Sequence, residues 1–298
     1  MFNKAKRNQV KIKIAITGPS GSGKTYSALS LASGIGSKIA VIDTENGSAS
    51  LYADKFEFDV CNIDAPHTTQ KYIDAIKFAE KEKYDVLIID SISHEWTTLM
   101  EQKTQYDAAG KGNSFTNWSA FTPQHNKFLS AFLNADLNII CCIRSKQEHI
   151  LTQNDRGKQV PQKIGLQPIQ RDGIEYEFTT VFDLSLTHDA SVSKDRTGLF
   201  ADQVFKITQE TGEILKTWLE TGEKPYRLSD EDKQEIINKI NAFAQESRDS
   251  ADVVKQKKID AYKKIVKNLE NGFTFESMKI DNICSQMLLN NEFDQTGA

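Results

Sequence analysis

The chain has 298 residues, of which 39% are hydrophobic and 26% charged, proportions typical of a soluble globular protein. No apolar run approaches the roughly 18–20 residues that a membrane-spanning helix needs, so no membrane partner is expected. The formal net charge of −4 gives no overall indication of nucleic-acid binding, and any DNA contact must come from local basic patches.

The N-terminal residues are basic and lack the apolar core of a secretory signal, which predicts that the protein is not exported. None of the four cysteines has metal-ligand spacing. Cys61, Cys141 and Cys142 lie in apolar runs, where packing in the core is expected. These features predict a cytoplasmic location.

Short apolar or β-branched runs alternate with helical patterns through the first 221 residues. The runs of strand length are KIKIAIT, KIAVIDT, FDVCNID, YDVLIID and LNIICCI. This alternation predicts an α/β fold with a mostly parallel sheet flanked by helices. Two later runs, EYEFTTVFDLSLT and ASVSKDRT, predict antiparallel strands, and TQETGEILKTWLE predicts a closing helix. Residues 222–298 have helical apolar spacing and predict a small helical appendage with a disordered tail.

The first predicted strand leads into GPSGSGKTY, in which residues 18–25 match the phosphate-loop pattern G-x-x-x-x-G-K-[ST] in full. The glycines let backbone N–H groups point at phosphate oxygens, and the following helix adds positive potential at its N-terminus. Lys24 can reach the β- and γ-phosphates of a nucleoside triphosphate, and the Thr25 hydroxyl can bind Mg²⁺. The predicted nucleotide-binding residues are Gly18, Pro19, Ser20, Gly21, Ser22, Gly23, Lys24, Thr25 and Tyr26.

Acidic residues follow two further predicted strands. The second strand ends with Asp43 and Glu45 before a turn at Asn46 and Gly47. The run YDVLIID ends at Asp90, which places this carboxylate at the end of a buried strand, where it can hold Mg²⁺ through water molecules. The chain lacks the N-K-x-D base-recognition motif of GTPases, and it shows no Arg-rich lid like that of small-molecule kinases.

Two long polar connections are predicted at the sheet edge where the nucleotide is expected. One spans residues 94–117, and the other spans residues 146–171. Basic loops of this kind suit contacts with nucleic-acid phosphates, with Phe115, Trp118 or His149 as candidate stacking partners. Ordinary solvated loops explain the same composition, and both interpretations stay open at this point. The predicted DNA-binding residues are Lys111, Lys146, Arg156, Lys158 and Lys163.

Six segments together resemble the phage-encoded RecA-like AAA-family ATPases associated with single-strand annealing recombination, the Sak-type proteins. The segments are GPSGSGKTYSALSLA, VIDTENGSASLYAD, YDVLIIDSISHEW, GNSFTNW, IGLQPIQRDGIEYEFTTVFDL and SKDRTG. The resemblance spans residues 10–220 and implies a RecA-like P-loop NTPase core, Mg²⁺ and ATP as cofactors, a homo-oligomer, and single-stranded DNA as partner. A phage single-strand-binding protein is one candidate further partner, and the bacterial host cytoplasm is the implied location.

The resemblance also implies catalytic roles. A glutamate just past the second strand is the catalytic carboxylate of RecA-like ATPases, so Glu45 is expected to orient or deprotonate the attacking water, beside Lys24. The pair Lys194 and Arg196 resembles the basic pair that reaches the ATP of a neighbouring subunit. Asp183 or Glu175 could instead pair with these two cations inside the subunit.

The chain departs from RecA recombinases at Cys142, where a polar residue, usually glutamine, senses the γ-phosphate. The resemblance therefore leaves open how the state of the nucleotide is coupled to DNA. The expected function is an ATPase whose nucleotide state governs assembly on single-stranded DNA. A helicase loader, a translocating motor and an ATP-switched binding module with negligible turnover are the alternatives.

Overall fold

The computed structural model describes residues 7–110, 112–153 and 159–223, together with Asn238; side chains of residues 147–153 and 159–165 are not described. Contacts divide the chain into two units, Met1–Gly222 and Glu223–Ala298, and the first contains the sheet and its helices. The predicted helical appendage lies outside the described residues, apart from Asn238. None of the described helices is both long enough and apolar enough to cross a membrane.

The described ranges form one sheet of nine strands and five α-helices. The strands are β1 Lys13–Gly18, β2 Ile39–Asp43, β3 Asp59–Asn62, β4 Val86–Asp90, β5 Asn138–Gln153, β6 Gln159–Pro168, β7 Thr180–Leu184, β8 Ala190–Asp195 and β9 Val204–Phe205. The helices are α1 Lys24–Ile35, α2 Thr69–Lys81, α3 Ser93–Ala108, α4 Trp118–Asn134 and α5 Gln209–Glu220.

The strand order is β3-β2-β4-β5-β1-β7-β8-β9, with β6 paired to β5 outside this path. The first six strands in this order, β3-β2-β4-β5-β1-β7, are parallel to their neighbours in the order. Strands β8 and β9 are antiparallel to their neighbours. The prediction of a mostly parallel sheet with late antiparallel strands is therefore confirmed.

Apolar side chains cover both faces of the central strands, which explains their nearly continuous hydrophobic sequences. On one face Ile14 and Ile16 pack with residues of α1 and α5, including Leu29 and Leu215. On the other face residues of β4 and β5 pack with α2 and α4 around Phe128. Both faces of the sheet are thus buried by helices, and polar side chains concentrate where the strands end.

The carboxyl ends of four parallel strands meet at one edge of the sheet. Asp43 of β2 is the register partner of Asp90 of β4, and Gly18 of β1 is the partner of Arg144 in β5. This register brings the phosphate loop beside the two strand-end aspartates. The edge is the expected location of a ligand site in an open α/β sheet.

The structure corrects the two predicted connections. Residues 94–108 belong to helix α3, whose 16 residues contain no glycine or proline, so their polarity reflects a helix rather than a loop. The region from 146 to 168 is largely a hairpin, in which β5 runs on to Gln153 and pairs with β6. Polar residues dominate this stretch of the sequence, so it lacks the apolar alternation that would predict strands.

Two of the three cysteines expected in the core are buried there. Cys141 and Cys142 are both fully buried in the central strand β5. The prediction for Cys61 is wrong, because β3 is the edge strand and this thiol is exposed. An apolar run of strand length does not reveal whether its strand is central or at an edge.

Candidate functional site

The phosphate loop connects β1 to α1 and has the backbone of an anion cradle. Gly21 and Gly23 have φ values of +80° and +82°, a region that side chains disfavour, and Gly23 is the N-cap of α1. A Cβ atom on Gly18 would lie 2.5 Å from the Ser22 hydroxyl oxygen. That hydroxyl is buried without a hydrogen-bond partner among the described residues. The loop therefore has no space for a side chain at position 18.

The other predicted nucleotide-binding residues lie around this loop. Pro19 is half-buried, whereas Ser20 is exposed at the tip. Tyr26 is 42% exposed and makes edge contacts with Tyr52 and Phe56, at centroid distances of 5.7 and 5.3 Å. The loop thus has an aromatic cluster at one side, next to the first turn of α1.

Lys24 and Thr25 extend from the first turn of α1 toward the sheet edge. The Lys24 ammonium donates hydrogen bonds to the carbonyl oxygens of Gly18 and Pro19, at 3.0 and 2.9 Å. The Thr25 hydroxyl donates to Asp90 Oδ2 at 2.5 Å. Two motifs that lie 65 positions apart in the sequence are therefore in direct contact in front of the loop.

The carboxylate of Asp90 has the properties of a metal ligand. It is 1% exposed, and its Oδ1 atom has no hydrogen-bond partner among the described residues. Burial raises the pKa of Asp90 to about 6, and the negative charges of Glu45 and Asp43 contribute, against the opposing effects of Thr25 and Lys24. An unpartnered carboxylate oxygen beside a threonine hydroxyl supplies the hard oxygen ligands that Mg²⁺ prefers, so these residues fit that ion.

The turn after β2 is held by its own strand-end aspartate. Asp43 accepts hydrogen bonds from the backbone N–H groups of Glu45 and Ala49, at 2.6 and 2.8 Å. The Thr44 hydroxyl accepts from Ser91 N at 2.9 Å, and Thr44 N donates to the Asp90 carbonyl oxygen at 2.8 Å. The turn that carries Glu45 is therefore joined to the strand that carries Asp90.

Glu45 forms a salt bridge with Arg144, in which Arg144 Nε lies 2.7 Å from Glu45 Oε1. Burial by itself would raise the pKa of Glu45. The hydrogen bond and the charge of Arg144 outweigh that effect, with help from Lys24, and the net pKa is lowered. Glu45 is thus an ionised carboxylate on the same edge as the phosphate loop.

Lys194 and Arg196 lie together at the end of β8. Lys194 donates to the carbonyl oxygens of Glu175 and Tyr176, at 2.8 and 2.7 Å, and Arg196 donates to that of Tyr176 at 3.1 Å. In the described part of the chain neither cation has a carboxylate within 4.0 Å, so the alternative pairing with Asp183 or Glu175 side chains is not found. Both cations lie on one side of the strand end.

Strict alternation along β8 would place Val192 and Lys194 on the same face, and the structure departs from it. The register between β7 and β8 shifts at Val181 and Phe182, so that Val192 pairs with Phe182 but Lys194 pairs with Val181. Because paired residues of antiparallel strands point to the same face, Val192 and Lys194 lie on opposite faces. Arg196 follows the end of the strand. A bulge of this kind inverts the face of every residue beyond it, and the sequence shows no sign of it.

Of the predicted DNA-binding side chains, that of Lys146 lies in the described part of the chain. Lys146 is exposed on β5. Lys111, Arg156 and Lys158 lie outside the described residues, as does the side chain of Lys163. Among the candidate stacking residues, Phe115 is 88% exposed, whereas Trp118 is stacked on Trp96 with a centroid distance of 5.7 Å.

Sequence analysis missed the two residues that connect the strand ends. Arg144 follows the LNIICCI run and Thr44 lies within the VIDTENGSASLYAD segment, but neither had a predicted role. Arg144 is the register partner of Gly18, and Thr44 directly follows the register partner of Asp90. The rule that ligand sites collect polar residues from strand ends would have found both.

A family model described as an AAA domain matches residues 10–223, a range that includes the phosphate loop and every strand of the sheet. The RadB recombinase structure is 16% identical and has a TM-score of 0.39, over 69% of this chain and 90% of that one. A prototypical ATPase from the type III secretion system of pathogenic bacteria is 11% identical with a TM-score of 0.41, over 87% of this chain and 73% of that one. No curated protein matches the chain.

Proposed function

Because the chain belongs to the AAA domain family, matched over residues 10–223, we propose that it is a Mg²⁺-dependent ATPase acting on single-stranded DNA. The observation that supports it best is the 2.5 Å contact between the Thr25 hydroxyl and the Asp90 carboxylate in front of the phosphate loop. A hydroxyl and a buried carboxylate brought together beside a phosphate cradle are what Mg-nucleotide binding requires. We also propose that it is a recombination ATPase of the Sak type.

Each site residue has a separate role in the proposed reaction. The backbone of the loop and Lys24 hold the β- and γ-phosphates, while Thr25 and Asp90 hold Mg²⁺, which offsets charge on the phosphate oxygens when bound. Glu45 orients the attacking water and accepts its proton. Glu45 is joined to the Asp90 strand through Thr44, so the base and the metal ligand keep a fixed separation.

The ATPase assignment is tested by two variants that should fail at different steps. Lys24→Ala should lose Mg-ATP binding, because it removes the charge that faces the phosphates. Glu45→Gln should keep binding and lose turnover, because the amide cannot accept a proton. Lys38→Ala, which removes an exposed lysine outside the loop, is the control for both measurements. Wild-type hydrolysis by Lys24→Ala would refute the assignment.

The oligomeric part of the proposal rests on Lys194 and Arg196. Their partners are carbonyl oxygens of Glu175 and Tyr176, so neither cation contacts the phosphate loop of its own subunit. A cation supplied by a neighbouring subunit would stabilise the charge that develops on the transferred phosphoryl group. We therefore expect the ATP sites at interfaces of a homo-oligomer.

The DNA-binding part rests on the position of the β5–β6 hairpin. Strand β5 passes the nucleotide edge at Arg144 and continues to Gln153 as one arm of this hairpin, with Lys146 exposed near its base. Neutralising Arg156, Lys158 and Lys163 should weaken binding to all single-stranded sequences alike. The salt dependence should flatten by roughly 0.7 per lost phosphate contact. An unchanged slope would remove the hairpin from the DNA surface.

Assays of the reaction with DNA separate this function from the alternatives. Annealing of complementary strands without unwinding is expected for a single-strand annealing ATPase. ATP-driven unwinding would favour a translocating motor or a helicase loader. Tight ATP binding with turnover indistinguishable from that of Glu45→Gln would favour a binding module that uses ATP as a switch.

A further inference from the structure

The salt bridge between Arg144 and Glu45 involves the candidate base but none of the residues that bind phosphate or metal. Its Nε–Oε1 distance is 2.7 Å, and the side chains of Arg144 and Glu45 are 42% and 23% exposed. Lys24, Thr25 and Asp90 have their own partners without it. Glu45, the candidate base, is therefore held in a salt bridge. Because the Arg144 side chain is partly exposed to solvent, its guanidinium group can exchange this partner for another.

The backbone of Arg144 is fixed on three sides. Its Cα atom is the register partner of Gly18, the first residue of the phosphate loop. Its N–H donates to the Ser93 hydroxyl at 2.9 Å, and its carbonyl oxygen accepts from Ile169 N at 2.6 Å. Any change of partner at this position must therefore be made by the side chain alone, next to the loop.

A bound triphosphate would bring a competing anion to the same charge cluster. Lys24 already contributes to the electrostatic environment of Glu45. A γ-phosphate held by Lys24 would carry more negative charge than the Glu45 carboxylate and present several acceptor oxygens. Guanidinium groups bind phosphate bidentately, through charge-assisted hydrogen bonds that are about twice as strong as neutral ones.

We propose that Arg144 distinguishes ATP from ADP by exchanging Glu45 for the terminal phosphate, an inference that rests on the proposed ATPase function. The exchange has two effects. The guanidinium adds a contact that the diphosphate cannot offer, and Glu45 is released to orient the attacking water. Arg144 thereby takes the part of a γ-phosphate sensor at the root of the β5–β6 hairpin, just beyond the buried Cys142.

The alternative is that Arg144 only balances the charge of Glu45. The two ideas predict opposite outcomes in a double-mutant cycle. If the anions compete for Arg144, Glu45→Gln frees the guanidinium and tightens triphosphate binding, and this gain is smaller when Arg144 is absent. If Arg144 only screens Glu45, its removal leaves a carboxylate that repels the phosphate more strongly, and the gain from Glu45→Gln is larger.

The experiment measures dissociation constants for a non-hydrolysable ATP analogue and for ADP, both with Mg²⁺, by titration calorimetry. Arg144→Ala should weaken analogue binding about tenfold, close to one charge-assisted hydrogen bond, and leave ADP binding within about twofold. Glu45→Gln should tighten analogue binding several-fold, and most of that gain should disappear in the double variant. Arg171→Ala removes a guanidinium elsewhere and should change neither constant.

Two results would overturn the exchange. One is an unchanged preference for the analogue over ADP in Arg144→Ala, and the other is a gain from Glu45→Gln that is as large in the Arg144→Ala background. Arg144→Gln, which keeps most of the length of the side chain, replaces Arg144→Ala if circular dichroism shows that the alanine variant is not folded. Failure of the wild-type protein to bind either nucleotide would instead refute the proposed function.

Discussion

Replacing Asp90 by asparagine should make the protein more stable while removing its Mg²⁺-dependent nucleotide binding. The carboxylate is 1% exposed, and one of its oxygens has no partner among the described residues. Burial raises its pKa from 3.8 to about 6, assisted by the charges of Glu45 and Asp43. Asparagine is neutral and keeps an oxygen that can accept the Thr25 hydrogen bond.

The sign and size of the effect follow from the two pKa values of Asp90. Between pH 3.8 and about 6 the folded protein binds more protons at this site than the unfolded chain, so stability falls as pH rises through that window. Each pH unit between the values corresponds to about 1.4 kcal/mol, so the ionised carboxylate destabilises the fold by about 3 kcal/mol above pH 7. Asp90→Asn should recover most of this free energy of unfolding at pH 7.5 and about half of it at pH 5.

Urea unfolding at the two pH values, without Mg²⁺ or nucleotide, measures this gain directly. Asp43→Asn is the matched control, because Asp43 is the register partner of Asp90 and is equally buried, yet accepts two backbone hydrogen bonds. The free energy of unfolding of that variant should fall by about 1–3 kcal/mol, because the amide nitrogen cannot accept the hydrogen bond of the backbone N–H group that it faces. Equal or lower stability of Asp90→Asn than of the wild type at both pH values would refute the reasoning.

Three further predictions test other parts of the structure. Burial lowers the pKa of Lys13 from 10.5 to about 8. As pH rises from 7.5 to 9.5, the free energy of unfolding of the wild type should therefore increase by about 2 kcal/mol relative to that of Lys13→Met, as measured with urea. Parallel plots of the two free energies against pH would contradict this. Gly34→Ala places a Cβ atom 2.0 Å from the Gln209 carbonyl oxygen and should lower the free energy of unfolding by about 3 kcal/mol, measured by thermal or urea unfolding. The control Ser33→Ala should not have this effect, and wild-type stability of Gly34→Ala would exclude the tight α1–α5 contact. Arg196→Ala should keep ATP affinity and lose turnover, and co-assembly with Glu45→Gln should restore part of the ATPase rate; a mixture that co-assembles and stays inactive would show that Arg196 does not act across the interface.

The parts of the site that sequence analysis predicted share one physical cause. A run of buried residues such as those of β1 or β4 must end before a polar residue can be tolerated, so the first acid after the run marks a strand end. Asp90 was located by this rule, as was the turn of Asp43 and Glu45. The parallel arrangement then required these ends to meet at one edge, which the register of β2 with β4 confirms.

The parts that were missed depend on pairing rather than on composition. The bulge in β8 changes which face Lys194 occupies, but it is set by the register with β7 and leaves no trace in residue types. The polar sequences of α3 and of the β5–β6 hairpin resembled loops, because they contain too few apolar residues to show a helical or strand period. Arg144 had no predicted role, because its partner, Glu45, is 99 positions away in the sequence.

The site holds the carboxylates of Glu45 and Asp90 at one edge of the sheet, and backbone hydrogen bonds keep the segments that carry them in place. Burial raises the pKa of Asp90, and the negative charge of Glu45 adds to this increase. Thr44 holds the two segments together by binding the peptide group that links Asp90 to Ser91, through its own N–H and through its hydroxyl. A fold that buries Asp90 near a second carboxylate gives up stability at the site. Mg²⁺ and a nucleotide would return that stability when they bind, so ligand binding and folding are coupled at this one edge of the sheet.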